Sequence, residues 1–87
     1  MTCQHLKEAG DPAPLSTYEN GCPQCVQDGF SDWVHLRLCL TCGTVACCDS
    51  SPRRHMSEHH EKVGHPVMRS YEPGESWRWC FVDEQLG

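Results

Sequence analysis

No stretch of this chain approaches the ~20 consecutive apolar residues that a membrane-crossing helix needs, and the mean hydropathy is -0.58 with 38% hydrophobic residues. A membrane protein is thereby excluded. Basic residues are also scarce: 7 Lys and Arg stand against 12 Asp and Glu, a formal charge of -5. A small acidic chain is a poor binder of nucleic acid phosphates. The segment Met1–Glu8 lacks the cationic start and apolar stretch of a secretory signal, which leads to the expectation of a cytoplasmic, reducing setting. Repeats, low-complexity tracts and long linkers are missing too, so residues 1–87 read as one domain. A chain of 87 residues builds only a marginal apolar core, so something else must staple it.

What the chain does have is 8 Cys and 6 His. In a reducing compartment, paired cysteines interleaved with histidines read as metal ligands rather than disulfides. Two tight pairs, Cys22-Pro-Gln-Cys25 and Cys39-Leu-Thr-Cys42, have the two-residue gap that presents two thiolates to one zinc ion. Cys3-Gln-His5 forms a third close pair. Asp49-Ser50-Ser51-Pro52 is a helix start signal, and Gly64 and Pro66 are stop signals, predicting a helix from about 52 to 63. On it His55 and His59 share a face, and His65 lies just beyond. Strands are predicted over 33–40, 44–47, 67–71 and 77–82, the last two as an antiparallel hairpin through Glu72-Pro73-Gly74-Glu75, while residues 1–21 read as an irregular arm.

Ligand counting predicts the stoichiometry. Adjacent residues in extended chain point opposite ways, so Cys47 and Cys48 do not serve one metal together. Setting aside Cys48, His35 and His60 and adding Asp83, three residues after Cys80, gives twelve ligands and three tetrahedral sites. Two other readings compete. Cys22 and Cys25 have the spacing of a thiol-disulfide redox pair, but a redox motif normally opens a helix after a strand, and here it follows the arm. Cys39-x2-Cys42-x12-His55-x3-His59 has the spacing of a nucleic-acid-binding zinc finger. Ala46 and Pro52, however, occupy the apolar core positions such a finger needs, and the acidic charge opposes it.

The order Cys3/His5, Cys22/Cys25, Cys39/Cys42/Cys47, His55/His59, Gly64-His65-Pro66 and Trp79-Cys80 resembles the ubiquitin-hydrolase-type (UBP or BUZ) zinc finger family from Cys3 to Asp83. The wording around Cys47–Pro52 and Glu72–Trp79 is nearest to its small free-standing bacterial members. The resemblance implies an α+β fold, a twisted antiparallel sheet with one main helix packed across it. It also implies three zinc ions, one at Cys22, Cys25, Cys47 and His55, a second at Cys39, Cys42, His59 and His65, and a third at Cys3, His5, Cys80 and Asp83. The family has a cysteine where Asp83 stands.

By the same resemblance the chain is expected to be a non-enzymatic interaction module that recognises a free peptide C-terminus, as family members do with the Gly-Gly tail of ubiquitin, and a monomer is expected. Such a site needs an aromatic slot and donors for a carboxylate. Trp79 matches the slot tryptophan, with Trp33 and Tyr71 as neighbours. Asp49 falls where the family carries a loop arginine, which leaves Arg53, Arg54 and the amides near Ser51 as the expected donors.

Overall fold

The structure, a computed structural model, describes residues 4–87. It is α+β, as expected: five antiparallel strands in the order β2-β1-β3-β4-β5, with one main helix. The strands are β1 (Leu36–Cys39), β2 (Val45–Cys47), β3 (Val67–Ser70), β4 (Arg78–Cys80) and β5 (Gln85–Leu86). The helices are α1 (Gln4–Glu8), α2 (Pro23–Gln27) and α3 (His55–Val63), with one 3-10 turn at Tyr18–Asn20. The predicted hairpin is β3–β4, in the register Val67↔Cys80, Met68↔Trp79 and Arg69↔Arg78.

Alternation along β1 divides the core. Leu36, Leu38 and Leu40 point to one face, where they meet Leu6, Val45, Val67 and the thiols of Cys22, Cys25, Cys47 and Cys80. Cys39 points to the other, against Ala46 and Met56 of α3. The helix packs on β2 and β1. The same face of the sheet also carries Arg37, Met68, Trp79 and Leu86, aligned by the pairs Arg37↔Ser70, Met68↔Trp79 and Trp79↔Leu86.

Three expectations need correction. Helix α3 begins at His55 rather than 52, because the preceding residues form a tight turn in which the Ser51 amide bonds the Cys48 carbonyl. Arg54 enters the helix in the left-handed region, φ 46°. The strand predicted from Trp33 starts only at Leu36, since the Val34 amide donates to the buried Ser51 hydroxyl at 2.8 Å instead of joining the ladder. The arm, read as irregular, holds α1 and the 3-10 turn, and α2 was not foreseen at all. Helix α2 is the first cysteine knuckle closed into a turn: the Cys22 thiol caps it by accepting from the Cys25 amide, and Pro23 sits in its first turn.

The arm is tied down from the sheet side. Glu72 joins the arm to the start of β1: one carboxylate oxygen accepts from the Leu36 amide at 2.9 Å, and the other accepts from the Tyr18 hydroxyl at 3.1 Å and lies 3.3 Å from His35 Nδ1. Burial pushes the Glu72 carboxyl up, but the Leu36 amide, His35 and Tyr18 outweigh it and hold it below the usual carboxylate range. Tyr71 adds a bond to the Ser16 carbonyl at 2.8 Å, and the Leu15 amide one to Gly43.

Glu72→Ala removes a charged acceptor shared by three donors. It should destabilise the zinc-loaded protein by about 1.5–3 kcal/mol in urea denaturation at neutral pH. A depressed carboxylate pKa contributes stability above the unfolded value of roughly 4.3 and loses it as pH falls through the folded value, so the gap between wild type and variant should narrow in acid.

Candidate metal centres

Cys22 caps α2, Cys25 lies within it, Cys47 ends β2 and His55 opens α3. The fold brings all four together with ligand atoms within 4.8 Å of one another, each residue buried. His55 Nδ1 stands 3.4, 3.2 and 3.5 Å from the sulfurs of Cys22, Cys25 and Cys47, and the Cys25 and Cys47 sulfurs are 3.8 Å apart. A zinc tetrahedron with bonds of about 2.3 Å to sulfur and about 2.05 Å to nitrogen has edges of about 3.8 Å between sulfurs and about 3.5 Å between sulfur and nitrogen. The cluster fits those edges. Asp28 lies 3.9 Å from the other ring nitrogen of His55, on the side away from the sulfurs.

The second group is Cys39, Cys42, His59 and His65. Cys39 Sγ lies 3.4 Å from His65 Nδ1, Cys42 Sγ 3.5 Å from His59 Nε2, and the two ring nitrogens are 3.2 Å apart, against about 3.3 Å for a nitrogen–nitrogen edge. Two glycines shape this site. Gly43, at φ 81°, turns β1 back toward β2 and places Cys42 beside the Thr44 hydroxyl, while Gly64, at φ 74°, ends α3 and aims His65 inward. His60, set aside as a ligand, donates from Nδ1 to the His65 carbonyl at 2.7 Å and stacks on Phe81.

Chemistry agrees with geometry. Burial pushes the thiols of Cys25, Cys39 and Cys47 up, in Cys47 against a 3.1 Å bond from the His55 amide. Burial also pushes Cys42 up, but the Thr44 hydroxyl and amide bring it below its ordinary value. His59 is held down by burial and by its neighbours His65 and His60, in the neutral form that binds metal. For these buried groups to bind as thiolates a cation must lie among them, and zinc would supply that charge. The grouping also bears on the two competing ligand spacings. Cys22 and Cys25 sit in a four-ligand cluster rather than as an isolated redox pair, and His55 joins Cys22, Cys25 and Cys47, not the Cys39/Cys42 pair of a nucleic-acid-binding finger.

The third group is His5, Cys80 and Asp83. His5 Nδ1 is 3.3 Å from Asp83 Oδ2, which is 3.9 Å from the Cys80 sulfur, and the Asp83 amide donates to that sulfur at 3.4 Å. His5 and Asp83 are 37% and 41% exposed, far more open than the first cluster. Cys3, the expected fourth ligand, lies outside the described residues. Cys48, also set aside, is buried with its sulfur 3.6 Å from the Ser51 hydroxyl.

The residues expected around Trp79 have other partners as well. Arg53 stacks 3.6 Å over the Phe30 ring, with Asp32 at 3.9 Å. Arg54 is the N-cap of α3, the Ser51 hydroxyl is used by Val34, Tyr71 reaches the arm and Trp33 packs on Gly21. Trp79 instead lines a cleft of about 280 Å³ with Arg37, Met68, Trp77, Leu86 and the 48–50 turn. Arg37 was missed. Its signal was an arginine inside the apolar strand Leu36–Cys39. Nine-tenths buried, it lies 4.5 Å over the Trp77 ring and donates to the Leu36 carbonyl at 3.0 Å. Among the described residues its Nε is the one buried side-chain nitrogen or oxygen with no hydrogen-bond partner.

With this geometry in view, comparison with known proteins gives a consistent answer. Residues 22–86 match the zf-UBP family, described as a zinc finger in ubiquitin-hydrolases and other proteins. A solution NMR structure of protein RPA1320 from Rhodopseudomonas palustris is 44% identical, with a TM-score of 0.85 over 99% of this chain and 80% of that one. No curated protein matches. The chain belongs to the zf-UBP family. The family match begins at Cys22, whereas the resemblance read from the sequence began at Cys3.

Elemental analysis of the native protein should find three zinc ions per chain, and one or two would overturn the partition. Structural zinc free energy is largely folding free energy at this size, so chelation should collapse amide NMR dispersion. Cys47→Ala should lose the first zinc and unfold the chain, whereas Cys48→Ala should keep full zinc content.

Proposed function

We propose that this chain is a zinc-stabilised, non-catalytic interaction module that holds the free end of a peptide in the cleft at Trp79. Arg37 carries the reading. An arginine nine-tenths buried, stacked on Trp77 and left with an unpartnered Nε, lines an open cleft and brings positive charge to it. A chain-end carboxylate is the anion that a guanidinium in an aromatic slot suits. The charge comes from β1, in place of the loop donor that Asp49 displaces. A larger groove, about 430 Å³ beside β2, offers less, because its Lys62 and Glu58 are paired to each other at 2.7 Å.

Two clusters of four protein ligands each leave no coordination position for substrate, which supports a binding role over zinc catalysis. The family description, with its mention of ubiquitin-hydrolases, makes a Gly-Gly-ended peptide the first ligand to try.

In NMR titrations a peptide ending in Gly-Gly with a free carboxylate should shift the Trp79 indole and the amides of Arg37 and Ser50, and the C-terminal amide should not. Arg37→Gln should weaken binding by about 1.5–3 kcal/mol, the scale of a hydrogen bond to a charged group. Arg54→Ala should leave it unchanged. Equal responses to acid and amide, or silence from both, would defeat the proposal.

A further inference from the structure

The third cluster differs from the other two in what it joins. The first two link residues between Cys22 and His65, the body of the sheet and α3. His5, Cys80 and Asp83 link α1 to the end of β4, across 78 residues of sequence. Helix α1 has five described residues, and a helix of one or two turns is not stable alone. One side chain of it is buried, Leu6, packed against Gly87 where a Cβ would meet the Leu6 methyl carbon at 2.8 Å. Its carbonyl accepts from the Arg78 guanidinium at 3.5 Å, the limit of a hydrogen bond. Burying one leucine does little against the cost of ordering a whole turn of chain, and the His5 imidazole beside Cys80 and Asp83 adds a tie from α1 to the far end of the chain.

We propose that this cluster is a reversible zinc clasp, whose metal pins α1 onto β4 and β5 and whose departure releases α1 while the rest of the fold stands. Its open setting and carboxylate ligand make it the first of the three to exchange. Release stops within the arm, because the Leu15 amide bonds Gly43 and the Ser16 carbonyl accepts from Tyr71, independently of His5. Consequences reach β5, since Leu6 covers the rung in which Gly87 and Arg78 exchange bonds of 2.9 and 3.0 Å. Leu86, next in line, forms a wall of the Trp79 cleft. Zinc availability thus sets the order of α1 and β5.

The test is a chelator titration of the zinc-saturated full chain, with zinc counted by elemental analysis and amide exchange followed by NMR. Loss of the first equivalent should coincide with at least a tenfold fall in protection of the Glu8 and Gly87 amides, with those of β1 and α3 unchanged. Asp83→Ala should hold one zinc fewer and show the same released state, and Asp83→Cys should restore both the zinc and the protection. If Glu8 and Gly87 stay protected after the first equivalent leaves, or lose protection only together with β1, the clasp does not exist. These readouts are independent of any peptide, so failure of the binding proposal leaves them intact.

Discussion

Two imidazoles one helical turn apart govern this structure. His55 and His59 stand four residues apart on α3 yet belong to different clusters, His55 with sulfurs from α2 and β2, His59 with those of the β1–β2 turn. One nine-residue helix is therefore fixed at two points, to the α2 knuckle and the end of β2 at one and to the β1–β2 turn at the other. Its apolar contribution is slight: Met56 is its one buried hydrophobic residue. Metal coordination replaces the wide apolar stripe by which a helix of ordinary composition docks.

The cysteines serve twice. Cys22, Cys25, Cys47 and Cys80 are all 0% exposed and belong to the same buried cluster as Leu36, Leu38 and Val45. A thiol is a small hydrophobic group as well as a ligand, so each both fills core volume and anchors a metal. Such economy suits a chain whose few large apolar side chains could not close a core alone.

Much of this was legible in the sequence, for identifiable reasons. The knuckle spacings, the i, i+4 histidines and the Gly64–Pro66 stop are local, and local geometry fixes them. The β3–β4 hairpin was legible because its turn residues announce it. What escaped was set by distant partners. Ser51 reads as a helix cap, but its hydroxyl is claimed by Val34, which delays α3 to His55 and ends β1 short of Trp33. Arg37 looked like an ordinary polar position on a strand, and only the pairing of β1 with β3 sets it beside Trp77 and Trp79. Helix α2 escaped because a thiol, rather than Ser or Asp, caps it.

The two four-ligand clusters are interleaved along the chain. One closes the span from Cys22 to His55 and the other the span from Cys39 to His65, so each begins or ends inside the other. Nested closures could open one at a time, like a box within a box, but interleaved ones behave as links. No break between Cys39 and His55 separates the chain into halves that each keep a complete set of four ligands. The fold is thus indivisible over that stretch, and inserted sequence belongs outside it, in the exposed turn around Gly29, where no side chain stands in the way.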